Sequence, residues 1–201
     1  MKTADMILNG LIFLVTVALL IGFFRKDGHW VPERVKVTFR YFTVQSNVLC
    51  AVSALGMCIA QLSGNVPAWV WIFKYIGTAA VTLTMLTVFL FLAPSIGKGW
   101  YDVLLKQIYD LFMHLITPLA ALVTFCVLEK RGMTFPQCLW GMLPVALYGP
   151  LYLYKIRFAP EEKRWDDFYG FGKGGKLPLM LAVMVAGMFL ICLGIMGLQN
   201  L

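Results

Sequence analysis

The sequence predicts an all-α membrane protein, a six-transmembrane-helix bundle forming one integral membrane domain over residues 1–201. Three observations lead there. Hydrophobic residues make up 60% of the chain and charged residues 13%, and the mean hydropathy is +0.79, far from the composition of soluble domains. Six apolar runs recur at 7–24, 42–62, 70–93, 108–128, 137–156 and 177–198, each close to the ~20 helical residues that cross a ~30 Å hydrocarbon layer. Lys and Arg collect in alternate loops between those runs.

The first run has only Lys2 ahead of it and Arg25-Lys26 directly after it, with no small-x-small cleavage site. It reads as a retained helix rather than a signal peptide. The last run, Leu-Met-Leu-Ala-Val-Met-Val-Ala-Gly-Met-Phe-Leu over 179–190, is apolar on every face, whereas barrel strands alternate over about ten residues. Gly187 and Gly194 in that run permit close helix approach without fixing an oligomeric state.

Loops 25–41, 94–107 and 157–176 carry twelve basic residues: Arg25, Lys26, Arg34, Lys36, Arg40, Lys98, Lys106, Arg157, Lys163, Arg164, Lys173 and Lys176. The opposite side holds Lys2, Lys130 and Arg131, while Lys74 and Lys155 fall near helix ends, where long side chains snorkel to the interface. By the positive-inside rule the basic loops are cytoplasmic and both termini are not; a bacterial protein of this kind would sit in the plasma membrane. That bias accounts for the net charge of +7 without a nucleic-acid partner. Trp69, Trp71, Trp100 and Trp140 fall near predicted helix ends, as interfacial anchors do.

Five cysteines (Cys50, Cys58, Cys126, Cys138, Cys192) form no C-x-x-C and read as small apolar packing residues. With two histidines in the chain, a metal centre is short of ligands, and no cofactor is called for. Gly170 to Lys176 has the glycine and lysine spacing of a phosphate loop, but Leu177 stands where Ser or Thr is needed, so it reads as a flexible basic loop. No Gly-x-Ser-x-Gly elbow occurs.

Polar residues inside the spans carry the functional expectations. Asp110 and His114 are four apart on the fourth run and share a helix face, so the carboxylate can hold the imidazole in one tautomer; within the runs they are the ionisable groups read as unable to snorkel. The alternative is a structural pair tying that helix to a neighbour. At the head of the second run, Thr43, Ser46 and Asn47 project to one side, offering a nucleophilic hydroxyl with donors for an oxyanion. The alternative there is polar cement between helices. Both runs start from the same side, so they run parallel. At ~1.5 Å per residue, Thr43 lies ~4.5 Å beyond Arg40 and His114 ~12 Å beyond Lys106, a mismatch of ~7 Å that tilt can absorb and that keeps Ser46 as a rival nucleophile.

Arg40-Tyr41-Phe42-Thr43-x-x-Ser46-Asn47, with Met113-His114 followed by Pro118, resembles the androgen-induced, FAR-17a-like six-transmembrane hydrolase family in its prokaryotic-type branch. The resemblance covers six spans over nearly the whole chain. It implies an intramembrane hydrolase of lipid esters, of the kind that cleave fatty acid esters of hydroxy fatty acids. The family's threonine maps onto Thr43 and its histidine onto His114, while Asp110 lies outside the pattern. Under that resemblance His114 takes the Thr43 proton as the hydroxyl attacks an ester carbonyl, and water resolves an acyl-threonine intermediate. Ser46, Asn47 and Asp110 are candidate supporting residues. Two other classes stay open: a proton-coupled small-molecule transporter using Asp110 and His114, and a non-catalytic membrane scaffold.

Overall fold

The computed structural model describes residues 2–92, 94, 107–171 and 177–201. Expectations attached to Lys98, Trp100, Lys106, Lys173, Lys176 and most of the glycine-rich stretch before Leu177 lie outside the described residues.

Helix forms where long apolar runs must satisfy their backbone groups internally. In chain order these are α1 (Lys2–Phe24), the short α2 (Pro32–Thr38), α3 (Phe42–Leu62), α4 (Ala68–Thr87), α5 (Ile108–Leu128), α6 (Phe135–Leu139), α7 (Leu143–Leu153) and α8 (Leu177–Asn200). The described strands are a two-residue antiparallel pair, β1 (Arg25–Lys26) and β2 (His29–Trp30), turned by Asp27 and Gly28 at φ 50° and 81°. Five helices, α1, α3, Ala68–Phe91, α5 and α8, are long and apolar enough to cross a membrane. The chain is an integral membrane protein.

The run expected over 137–156 is helical but broken into pieces. Between α6 and α7 lies a 3₁₀ turn at Trp140–Met142, and a π turn at Tyr154–Phe158 follows α7. Pro144 has no N–H to give the Trp140 carbonyl, which accounts for the 3₁₀ turn before α7, whereas Pro150 is accommodated inside α7; a side chain at Gly141 would collide with Tyr75 and Cys192. Two hydrogen bonds anchor the stretch to its neighbours: Tyr75 Oη donates to the Cys138 carbonyl and Tyr148 Oη to the Arg40 carbonyl, both 2.7 Å.

The bundle is built around α4. In its most apolar window 67% of residues are buried inside the protein, against 28% in α1 and 22% in α8, which turn most of their surface outward. α3 packs most extensively on α4 and α1. Gly77 makes the α3–α4 approach possible: a β-carbon there would lie 2.6 Å from Ser53 Oγ and 2.9 Å from the Cys50 Cα.

Two expectations are corrected by this packing. Lys74 does not snorkel: it is 0% exposed, on a helix packed against α3 and the end of α5. Trp71 is not an interfacial anchor either. It is 2% exposed, lies against Phe125 and donates from Nε1 to the Glu129 carbonyl at 2.8 Å. Trp69 and Trp140 are 70% and 54% exposed, as anchors should be. Cys50, Cys126, Cys138 and Cys192 are buried, Cys58 is half-buried, and all five are free.

The end of the bundle holding β1, β2 and α2 is the basic end. There Tyr148, Tyr152, Phe168, Tyr169 and Phe171 form a continuous set of ring contacts that folds residues 159–171 over the head of α3. Asp167 Oδ1 fastens that loop, accepting from Tyr152 Oη and from the Phe171 N–H, both at 2.9 Å.

Candidate functional site

The site expected from the sequence lies where the first turns of α3 and α5 meet at the basic end. α3 begins abruptly at Phe42, after an extended Tyr41. The Phe42 N–H is capped from the covering loop by Tyr169 Oη at 3.2 Å. First-turn amides of a helix have no acceptor within the helix and carry the positive end of its dipole. Thr43 stands in that turn, half-buried.

His114 sits in a π turn, Phe112–Ile116, inside α5. The cause is local: Pro118 has no N–H to give the His114 carbonyl, so the α-helical ladder cannot close across this turn. Helical side chains lean toward the N-terminus of their helix, here the basic end. His114 Nε2 lies 3.9 Å from Asp110 Oδ1, and the two side chains are 11% and 41% exposed. Nδ1 of His114 is buried without a hydrogen-bond partner. Asp110 is therefore more open than its place in an apolar run led us to expect, and only the histidine is enclosed.

Asn47 joins the two helices. Its Nδ2 donates to the Thr43 carbonyl at 2.8 Å and to the Met113 carbonyl at 3.1 Å. One nitrogen thus touches the residue carrying the candidate nucleophile and the residue next to the candidate base. The same bonds use both carboxamide hydrogens, so Asn47 as it stands has no N–H left for an oxyanion; its Oδ1 is buried and unpaired.

Ser46 is 2% exposed. Its hydroxyl donates to the Thr43 carbonyl at 3.0 Å and pairs with Thr84 Oγ1 of α4 at 2.9 Å, which ties α3 to α4. No hydrogen bond joins the Thr43 hydroxyl to His114 among the described residues. The structure ties Asn47 of α3 to the Met113 backbone of α5, sets Asp110 beside the imidazole, and engages Ser46 with Thr84 of α4.

A groove of about 280 Å³ lies on the flank of α3 that carries Phe42, Ser46 and Leu49, against Pro144, Leu147 and Leu151 of α7. Gln45, Ser46 and Tyr148 are its polar lining residues, while Thr43 and His114 do not line it.

No family model, no curated protein and no solved structure matches this chain.

Among the described residues, no three His, Cys, Asp or Glu side chains converge where a metal ion would sit. A second polar assembly, at the opposite end of the bundle, escaped the reading of the sequence. Asp5, Asn9, Lys74 and Glu129 are all buried, although Asp5 precedes one apolar run, Glu129 follows another and Lys74 falls four residues inside a third. The available signal was the coincidence of three ionisable residues within a turn or so of the same end of the bundle.

Proposed function

We propose that the protein is an intramembrane lipid-ester hydrolase with Thr43 as nucleophile and His114 as general base, in a six-span topology with the basic loops cytoplasmic and both termini outside. The observation that carries this reading is the Asn47 bridge, which holds the backbone of Thr43 and the residue preceding His114 on one nitrogen.

Asp110 stabilises and orients the imidazole from the Nε2 side, leaving Nδ1 to accept a proton. The Thr43 Oγ1 attacks the ester carbonyl carbon as its proton passes to His114. First-turn amides of α3 stabilise the oxyanion. His114 then returns the proton to the departing alkoxide as the C–O bond breaks, which leaves an acyl-threonine. Water, deprotonated by the same imidazole, attacks that ester; the acid leaves and Thr43 recovers its proton. An ester dissolved in the bilayer reaches this point laterally, with an alkyl chain along the groove between α3 and α7. The resemblance of Arg40–Asn47 and Met113–Pro118 to a hydrolase family supports the same assignment.

Hydrolysis of a long-chain ester of a hydroxy fatty acid by the purified protein tests it. Thr43→Ala and His114→Ala each lower turnover by at least ~100-fold if the roles are as stated. Absence of ester cleavage by wild type rejects the hydrolase. Labelling of an introduced cysteine in loop 157–176 from outside intact cells rejects the topology.

A proton-coupled carrier is the second reading, favoured by enclosed ionisable residues at both ends of the bundle: His114 beside Asp110 at one, and Asp5, Lys74 and Glu129 at the other. Proton-dependent solute flux into vesicles without ester cleavage would select it.

A further inference from the structure

The assembly at the N-terminal end is drawn from four segments. Asp5 and Asn9 stand one turn apart on α1, Gln61 ends α3, Lys74 lies on α4, and Glu129 follows α5 directly. Asn9 Nδ2 donates to Asp5 Oδ1 at 2.9 Å and to Glu129 Oε1 at 2.7 Å, so two carboxyl groups share one amide nitrogen. Gln61 Nε2 donates to Asp5 Oδ2. Exposure is 4% at Asp5, 0% at Asn9 and 6% at Glu129. Lys74 Nζ is buried with no hydrogen-bond partner, and the same holds for Glu129 Oε2 and Asn9 Oδ1.

Charge decides what such a cluster needs. Two carboxylates held this close repel, and a single ammonium compensates one of them. With all three groups ionised the buried assembly carries net charge −1; with one carboxyl protonated it is neutral. The hydrogen bonds say which carboxyl takes the proton. Both oxygens of Asp5 already accept from amides, whereas Glu129 Oε2 accepts nothing.

We propose that Asp5 and Glu129 form a binding site for one proton, held on Glu129 and counterbalanced by Lys74, at the N-terminal end of the bundle. The site does not rest on the hydrolase reading, since it lies at the opposite end from Thr43 and His114; it shares Asp5, Lys74 and Glu129 with the carrier reading but is inferred from their own geometry and needs no solute flux.

Surrounding groups fit that assignment. Burial pushes the Glu129 carboxyl up to about 7; the Lys74 ammonium pulls against this and the Asp5 carboxylate adds to it. The other titratable groups bearing on the cluster are thiols, Cys50 and Cys58 of α3 and Cys126 of α5, together with Lys130. Arg131 is engaged over the Trp71 ring at 6.0 Å and with the Val66 carbonyl at 3.0 Å. A divalent cation is a poor rival occupant, because Lys74 already places a positive charge in the cluster.

Infrared difference spectroscopy of the whole protein in lipid nanodiscs, titrated through neutral pH, reads the proton directly. Wild type should show a protonated-carboxyl C=O band that disappears with a midpoint near neutrality, equal in sodium and choline buffers. Glu129→Gln should remove the band. Lys74→Met should raise the midpoint by about one pH unit or more, as loss of a nearby cation does, and Asp5→Asn should lower it. A wild-type band that does not titrate overturns the proposal without reliance on any variant's folding. So does a band that survives in Glu129→Gln, or a midpoint that falls in sodium, which would make this a cation site.

Discussion

Asn47 Nδ2 of α3 lies 3.1 Å from the Met113 carbonyl of α5 while also bonding the Thr43 carbonyl one turn back on its own helix. The main chain of α5 is open to such a partner because Pro118 and the π turn before it disturb the ladder around His114. Sequence chemistry, a helix defect and an interhelical contact thus converge on the residue before the candidate base.

Replacing that carboxamide should cost stability as well as geometry. Asn47→Leu leaves the Met113 carbonyl without its side-chain donor, while the Thr43 carbonyl keeps the Ser46 hydroxyl; an unpaired buried group costs ~1–3 kcal/mol. Asn47→Asp, which sets a carboxylate against two carbonyl oxygens, should be worse than Asn47→Ala. Thermal unfolding in detergent ranks the three. Equal stability of the Ala and Asp variants would show that the bridge contributes little.

Gly77 permits the closest approach of α3 to α4. Gly77→Ala puts a methyl 2.6 Å from Ser53 Oγ and 2.9 Å from a backbone carbon of Cys50, so the helices must separate. Overpacking of this kind costs ~1–3 kcal/mol. Circular-dichroism melting should show a lower midpoint with unchanged helix content.

Tyr169→Phe removes the hydroxyl that accepts from the Phe42 N–H, and with it one tie between the covering loop and the head of α3. A single bond of this type is worth ~1 kcal/mol. Limited proteolysis should then cut residues 159–171 faster than in wild type while the helices stay intact.

How stability responds to pH follows from Glu129. Its ordinary value of 4.5 rises to about 7 in the folded chain, so the folded state holds the proton more tightly than the unfolded state does. The stability this contributes is fully present below about 4.5 and is lost as pH rises through about 7. Melting temperature should therefore fall across that window, and Glu129→Gln should flatten the fall. An unchanged slope in the variant would assign the pH dependence to other groups.

Five helices were legible because their apolar runs have the length a membrane demands, whereas the run expected over 137–156 is broken by a 3₁₀ turn and a π turn and does not form one helix of that length. The i, i+4 pairing of Asp110 and His114 needs only local geometry, so it was legible too. Lys74 was misread because burial near a helix end is a property of neighbours: whether a lysine there reaches water depends on how α3 and α5 pack around it. Asp5 and Glu129 carry no local sequence signal for the same reason, each standing just beyond the end of an apolar run, where a charged residue ordinarily meets water. The aromatic loop over α3 joins residues 42 and 169, a contact distant in sequence with no local signature.

Covalent trapping tests the central claim most directly: wild-type protein treated with a fluorophosphonate ester mimic, digested, and the adduct located by mass spectrometry. The account predicts an adduct on Thr43 that is lost in Thr43→Ala and strongly slowed in His114→Ala. An adduct on Ser46, or labelling that proceeds at the wild-type rate without His114, would contradict it.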